Sequence, residues 1–345
     1  MKLHPSIVAA TVAAAFALTI SACSSDATNS TDPSTGSSET AAASTDSSPD
    51  SSAEGLKVGL ILLQGDTYFQ NIQTGVEAAA AKDGGTVTTA LSNGDPGTEN
   101  EAALNMIQAQ VDAILMQPAA DEASLATMKA IRDAGITLIC YGNCVGPTAD
   151  PANVDGAIQS DNTALGTQTG EAAAAYIKDN FGDSVDVAIL NCDVASACKL
   201  RKTGFLGALT DAGITATVVT DQEGYLVDKA TPVAQNILAA NPDIDMIWAS
   251  NDGGTAGAVI ATQQAGSTIP VFGTDISTQL AEFLLEPDGN LQATTGQDAF
   301  GTAEGAYAMA VKVHAGETLA EPSVELPGIT YDRTNSDTIQ AFLDQ

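Results

Sequence analysis

From residue 56 onward the chain alternates short runs rich in β-branched residues with longer, Ala-rich runs of helical spacing. Lys57-Val58-Gly59-Leu60-Ile61-Leu62 reads as a buried strand. Residues 68–82 then predict a helix closed by Gly84-Gly85, and residues 86–91 a second strand. A helix over 98–110, a strand at Ala113-Ile114-Leu115-Met116, a helix over 122–134 ending at Gly135 and a strand over 137–140 complete the first half. Glycine after a helix suits the left-handed C-cap, where a Cβ is unfavourable. Strand and helix in regular alternation predict an α/β protein with parallel, doubly wound sheets.

The second half repeats the pattern. Val185-Asp186-Val187-Ala188-Ile189-Leu190 matches the first strand, and Gly204-Phe205 through Gly213 matches Gly75-Val76 through Gly84. Asp245-Met246-Ile247-Trp248 matches Asp112-Ala113-Ile114-Leu115, and Ile269-Pro270-Val271 matches Ile136-Thr137-Leu138. Matched segments lie roughly 130 residues apart, which predicts two lobes of one topology. Ligands of open parallel sheets sit beyond the carboxyl ends of the strands. The candidate contacts are therefore Asp66, Tyr68 and Phe69, then Gln117, Gly142 and Asn143, the loop 193–199, Asn251, Asp252 and Asp275.

The beginning of the chain has a different pattern. Lys2, an apolar run from Ile7 to Leu18 and the small residues before Cys23 make a secretory signal. Ile20-Ser21-Ala22-Cys23 resembles a bacterial lipobox, which implies removal of residues 1–22 and lipidation of Cys23. Two or more acyl chains hold a protein stably on a membrane, where one gives only marginal binding. Residues 24–54 contain no aromatic residue and no Leu, Ile, Val or Met, so they cannot bury enough apolar surface to order themselves. They read as a tether, 23–55, from the bacterial cell membrane to an extracytoplasmic body. No later stretch is long and apolar enough to span a bilayer.

Charge narrows the function by exclusion. The formal net charge is −31, with 12 Lys and Arg, so no basic stripe exists to neutralise phosphates and no nucleic-acid partner is expected. After the signal, His314 is the only histidine. Multi-His metal sites are thereby removed, and any catalytic triad would rest on His314. That residue ends a helical run, where a cation complements the helix dipole. No metal and no cofactor is expected.

Specific motifs carry a resemblance. They are Asp66-Thr67-Tyr68-Phe69 followed by Gly75, Ser160-Asp161-Asn162 followed by Gly166, and Lys199 to Gly204-Phe205. Ala249-Ser250-Asn251-Asp252 followed by Gly257-Ala258, Val271-Phe272-Gly273-Thr274-Asp275 and Thr295-Gly296-Gln297 complete the set. Over nearly all of residues 56–345 the chain resembles the type I periplasmic sugar-binding proteins of ABC importers, closest to the ribose-binding branch. The resemblance implies two lobes, 56–158 plus 297–325 and 159–296 plus 326–345, joined by hinge strands near 157–161, 292–297 and 324–330. It also implies no catalysis, an ABC permease as partner and a monomeric body that closes on a small polar ligand such as a sugar or polyol.

By the same resemblance, Tyr68, Phe69 and Tyr225 would cover the apolar faces of a sugar ring, although Phe69 alone also fits core packing. Asn251 would offer a donor and an acceptor, Asp275 would accept two hydroxyl protons, and Gln297 would bridge the lobes. Asn251 and Asp275 follow strands, so turn chemistry accounts for them as well. Two departures bear on the ligand. Tyr141-Gly142-Asn143-Cys144 stands where ribose-like binders carry an Asp-Arg pair, and Lys199 stands where an Arg fork is expected. Lysine does not replace a bidentate guanidinium. Asp66 occupies a position where Asn is common. A ligand other than ribose is expected.

Cys140, Cys144, Cys192 and Cys198 form an even set in an exported body and read as two disulfides with three possible pairings. Local pairs, Cys140–Cys144 and Cys192–Cys198, are the expectation, because a bridge between lobes would restrain a cleft that a transport protein has to open. The competing functions are a ligand-presenting receptor for a sensor kinase or chemoreceptor, and a two-carboxylate hydrolase, for which no carboxylate pair is set apart by motif.

Overall fold

The computed structural model describes residues 55–144 and 146–344. The signal, the lipidation site Cys23 and the tether up to residue 54 lie outside the described residues. The elements run β1 (Lys57–Leu62), α1 (Thr67–Lys82), β2 (Thr86–Leu91), α2 (Pro96–Gln108), β3 (Ala113–Met116), α3 (Leu125–Asp133), β4 (Thr137–Gly142) and β5 (Gly156–Ser160). They continue with α4 (Asn162–Asn180), β6 (Ser184–Asn191), α5 (Ser196–Asp211), β7 (Thr215–Glu223), α6 (Val227–Ala240), β8 (Met246–Ala249), α7 (Asp252–Ala265) and β9 (Val271–Thr274). The last are α8 (Thr278–Leu285), β10 (Leu291–Gly296), α9 (Ala299–His314), β11 (Ser323–Leu326), β12 (Ile329–Asp332) and α10 (Ser336–Leu343).

Two six-stranded sheets result, ordered β2-β1-β3-β4-β5-β11 and β7-β6-β8-β9-β10-β12. Every pairing in the first is parallel, and in the second only β12 runs antiparallel, against β10. The matching order is the physical form of the sequence repeat. Strands β1, β3, β4, β6, β8 and β9 are buried almost throughout, as strands covered by helices on both faces must be. Apolar clusters lie on both sides of each sheet: Leu60 with Ile72 and Ile114 with Met128 in the first, Leu190 with Val259 and Val187 with Phe205 in the second.

The chain passes between the sheets three times. After β5 it enters α4, which packs on α5 and β10. After β10 it returns in α9 to pack on α1 and β4. Between β11 and β12 it crosses back at residues 327–328. The expected single strand over 324–330 is thus two short strands, one in each sheet, separated at Pro327-Gly328.

Some boundaries differ from the sequence expectation. The helix predicted over 122–134 is α3, starting at Leu125, because residues 121–124 form a turn in which the Ser124 hydroxyl accepts from the Ala120 amide at 3.1 Å. The helix predicted from residue 98 begins at Pro96, with Asp95 capping the Thr98 amide at 2.7 Å. Proline is pre-set for a first helical turn. His314 closes α9, as its sequence position indicates.

Candidate functional site

The parallel strands of both sheets point their carboxyl ends toward one cavity of about 590 Å³. Its wall includes Leu63 after β1, Gln117 after β3, Gly142 at the end of β4, Asp275 after β9 and Gln297 after β10. Asp66, Tyr68, Phe69, Asn143, Asn162, Arg201 and Asp252 also line it.

On the side of the first sheet, Asp66 caps α1 by accepting the Phe69 amide at 3.3 Å. Partial burial pushes its carboxyl above the usual range, and the Asp275 charge adds to the shift. Tyr68 and Phe69 meet edge to face, with ring centroids 5.1 Å apart. Phe69 is both core and wall. The Tyr68 hydroxyl is sealed from solvent and lies beside the Thr302 hydroxyl, whose oxygen can accept from it. The neighbouring Thr302 hydroxyl sends its own proton to the Asp298 carbonyl at 2.7 Å. Burial raises the Tyr68 pKa well beyond that of a free phenol. Gly142 adopts φ +79°, and a Cβ there would meet Gln117 Oε1 at 2.1 Å. The Gly142-Asn143 sequence therefore brings the backbone where a larger residue would displace Gln117.

On the other side a polar chain is built around Asp275, which takes a left-handed φ of +73° immediately after β9. Its backbone is held by the Asp275 amide on the Thr295 carbonyl at 2.8 Å and by the Thr294 hydroxyl on its own carbonyl at 2.7 Å. Arg201 Nη1 donates to Asp275 Oδ2 at 2.8 Å, and Gln297 Nε2 donates to Oδ1 at 3.0 Å. Arg201 is also bonded to Asn162 Oδ1 at 2.9 Å and to the Ser250 carbonyl at 3.1 Å. Gln297 Oε1 accepts from Ser160 at the end of β5, at 3.0 Å. The chain Asn162–Arg201–Asp275–Gln297–Ser160 thus joins the ends of strands from both sheets. Asp252 accepts from Ser277 at 2.7 Å, and burial raises its pKa, with the charges of Asp275 and Asp66 adding to the shift.

Three expected contacts lie off the cavity wall. Lys199 is exposed and absent from the cavity wall, and the guanidinium is supplied by Arg201. On a helix, positions two apart face opposite ways. The buried face of α5 runs Cys198, Arg201, Gly204, Phe205 and Ala208, so the three- and four-residue spacing back from Gly204-Phe205 was the signal for Arg201. Asn251 is spent on structure: its Oδ1 caps α7 through the Gly254 amide at 3.1 Å, and its Nδ2 donates to the Tyr225 carbonyl at 2.9 Å. Its neighbour Asp252 reaches the cavity instead. Tyr225 does not line the cavity either; its carbonyl serves Asn251.

Cys140 is bonded to Cys144 and Cys192 to Cys198, with Cα atoms 6.0 Å and 5.5 Å apart. The first bridge spans Gly142 and Asn143, and Cys198 of the second lies on the cavity wall. Within the loop 193–199, Asp193 pairs with Lys202, which also holds Asp221 of β7 at 2.9 Å. Among the described residues no group of three or more metal-ligating side chains converges, and no helix is long and apolar enough to cross a membrane.

Comparison with known proteins agrees with this architecture. The family model of the periplasmic binding protein domain matches residues 60–318. The chain is 28% identical over 283 residues to the ABC transporter periplasmic-binding protein YphF of Escherichia coli, covering 81% of this chain and 86% of that protein. It is 29% identical over 232 residues to the ribose import binding protein RbsB of Bacillus subtilis, covering 67% and 72%. Among solved structures, an ABC transporter periplasmic solute binding protein from Actinobacillus succinogenes with bound D-allose superposes with a TM-score of 0.71 at 23% identity, over 82% of this chain and 99% of that one. A solute binding protein from Bacillus halodurans with bound myo-inositol gives 0.69 at 22%, over 84% and 98%. The chain belongs to the periplasmic binding protein family, whose members bind a solute and perform no chemistry on it.

Proposed function

We propose that the chain is the extracytoplasmic solute-binding component of an ABC transporter, that lipidated Cys23 anchors it to the membrane, and that it traps a sugar, polyol or similar small polar ligand between its sheets. The observation that carries this reading is the polar chain from Ser160 to Asn162 through Gln297, Asp275 and Arg201, set beside the Tyr68–Phe69 pair at one strand-end cavity. Aromatic faces with flanking carboxylate and amide groups suit a ring or chain that is apolar along CH and polar along OH. Relatives named for ribose, and a structural neighbour holding D-allose, support the ligand class. Ligand contacts to both sides favour the closed state, and closure then presents the protein to its permease. The contacts proposed are Asp66, Tyr68, Phe69, Asn143, Arg201, Asp252, Asp275 and Gln297.

Denaturing the purified protein and identifying the released small molecule by mass spectrometry tests the reading. A polyhydroxylated compound is expected, and its return to the refolded protein should raise the melting temperature. A released peptide or aromatic acid would overturn it.

A further inference from the structure

We propose that Gln117 is a further ligand contact, and that its side-chain amide selects a pair of adjacent hydroxyls on the side of the first sheet. This inference rests on the solute-binding reading above and says which part of the solute that side recognises. Strand β3 is central in its sheet, between β1 and β4, and all four of its residues are buried. It stops before Gln117-Pro118, where proline has no amide hydrogen to continue the ladder. The sheet still holds Gln117 through its backbone amide on the Ile61 carbonyl at 3.4 Å. The backbone just beyond is pinned as well: the Ala119 amide donates to buried Glu99 at 2.6 Å, and the Ala120 amide to Ser124 at 3.1 Å. The Gln117 side chain therefore reaches the cavity wall from a fixed base.

Gln117 and Arg201 are the two most buried polar residues of that wall, 7% and 5% exposed. Arg201 has three protein partners. Among the described residues the Gln117 side-chain amide has none, and neither of its polar atoms is sealed off; the cavity is where they open. A buried amide ordinarily finds its partners, so an unpaired one aimed into a binding cavity marks where a ligand completes it. Gly142 supplies a second, independent observation. Its φ of +79° disfavours any side chain, and a Cβ there would lie 2.1 Å from Gln117 Oε1 and 3.0 Å from its Cδ. The amide thus rests on bare backbone, and the Cys140–Cys144 bridge closes the loop around that seat. The end of β4, Tyr141-Gly142-Asn143, brings no charge to the wall. Recognition at this point is therefore by hydrogen bonds without an ion pair. A carboxamide offers an acceptor and a donor side by side. Adjacent hydroxyls answer both, one donating to Oε1 and the other accepting from Nε2. A solute lacking them would leave the amide buried and unpaired, which is how such a site rejects deoxygenated analogues.

Isothermal titration of the ligand-stripped protein tests the inference, with D-allose, myo-inositol and the single-deoxy forms of each as probes. Where neither parent probe binds, the polyhydroxylated compound released from the native protein and its deoxy forms take their place. Gln117→Met, close in size and unable to pair, should weaken binding about tenfold or more. Its ligand-free melting temperature should equal or exceed that of the parent protein, because the amide it replaces has no protein partner to lose. A merely structural glutamine would lower that temperature instead. At least one deoxy form should cost the parent protein about tenfold and cost Gln117→Met less than about threefold, which marks a hydroxyl held by the amide. Binding by Gln117→Met within about threefold of the parent, a ligand-free melting temperature lowered by several degrees, or deoxy losses equal in the two proteins overturns the contact and leaves the solute-binding reading standing. If neither probe binds and the native protein releases nothing polyhydroxylated, both fall.

Discussion

One guanidinium holds three partners at the floor of the cavity, and it is nearly closed to solvent, with 7% of its side chain exposed. Lysine in its place keeps the charge but can reach only part of that fan. Arg201→Lys should weaken ligand binding by 10- to 100-fold, about 1.4–2.8 kcal/mol, in a titration where Lys199→Ala stays within about twofold of the parent, as a surface change should. A loss at Lys199 equal to that at Arg201 would contradict the assignment. Asp252 gives a second expectation at this scale. Its folded pKa lies above the ordinary value of 3.8, chiefly through burial. A raised carboxyl pKa means the native state holds its proton more firmly than the unfolded chain. The associated stabilisation is complete below the unfolded pKa and is lost as pH rises through the folded one. Asp252→Asn does not titrate. It should therefore melt above the parent at neutral pH, with the gap closing as pH falls toward 4, and thermal melts across that range check it. A gap constant with pH would show that the carboxylate is not strained. Residue types such as these were legible from the chain where a strand end fixes the position, as at Asp66, Asp275 and Gln297. They were not legible where a helical side chain must be phased, as at Arg201 against Lys199, or where a cap competes with the ligand for one amide, as at Asn251.

Helices α4 and α5 show why certain small residues in the motifs are small. A Cβ on Gly166 would lie 1.8 Å from the Arg201 carbonyl, and one on Gly204 would lie 2.1 Å from the Thr163 carbonyl. The two helices thus touch backbone to backbone, and the contact sets the height at which Arg201 enters the site. Gly166→Ala must push α5 outward, at a cost of about 1–3 kcal/mol for overpacking. Chemical denaturation should show that loss, and binding should weaken further than Thr203→Ala, an exposed change on α5 away from the seam. An unchanged midpoint would mean that the helices can separate freely. At the level of elements, the alternation of apolar runs gave the sheets and most helices directly, because buried parallel strands leave little choice of residue. The last crossing was expected with its lobe boundary between residues 325 and 326, and it falls at Pro327-Gly328, where proline cannot donate to a ladder. The turn before α3 was hidden. Glu99 is buried from α2 and accepts both the Ala119 amide at 2.6 Å and the Ser124 hydroxyl at 3.0 Å, and a tertiary partner of that kind has no local signature.

The three crossings are tied to one another and to the site. Ser160 is bonded to Gln297, and Gln168 of α4 exchanges two bonds with Gly328, each 2.9 Å. Gln297 in turn donates to Asp275. Short crossings bound to each other give way together, so the sheets should turn as two rigid bodies about one axis and not by scattered loop motion. The rest of each lobe is buried around its own sheet and has no comparable freedom. A ligand bridging Asp66 on one side and Asp252 or Asp275 on the other favours the closed arrangement by its differential affinity for it, which is the only way a ligand can shift such an equilibrium. Small-angle scattering of the ligand-stripped protein, with and without the tightest binder found by titration, should therefore show a smaller radius of gyration on saturation. Gln297→Ala, which unties the hinge from Asp275 and leaves both cores intact, should reduce that change as well as the affinity. If saturation leaves the dimensions of the parent protein unaltered while heat of binding is still measured, the cavity holds its ligand without closure, and the coupling of hinge to site through Gln297 has no mechanical consequence.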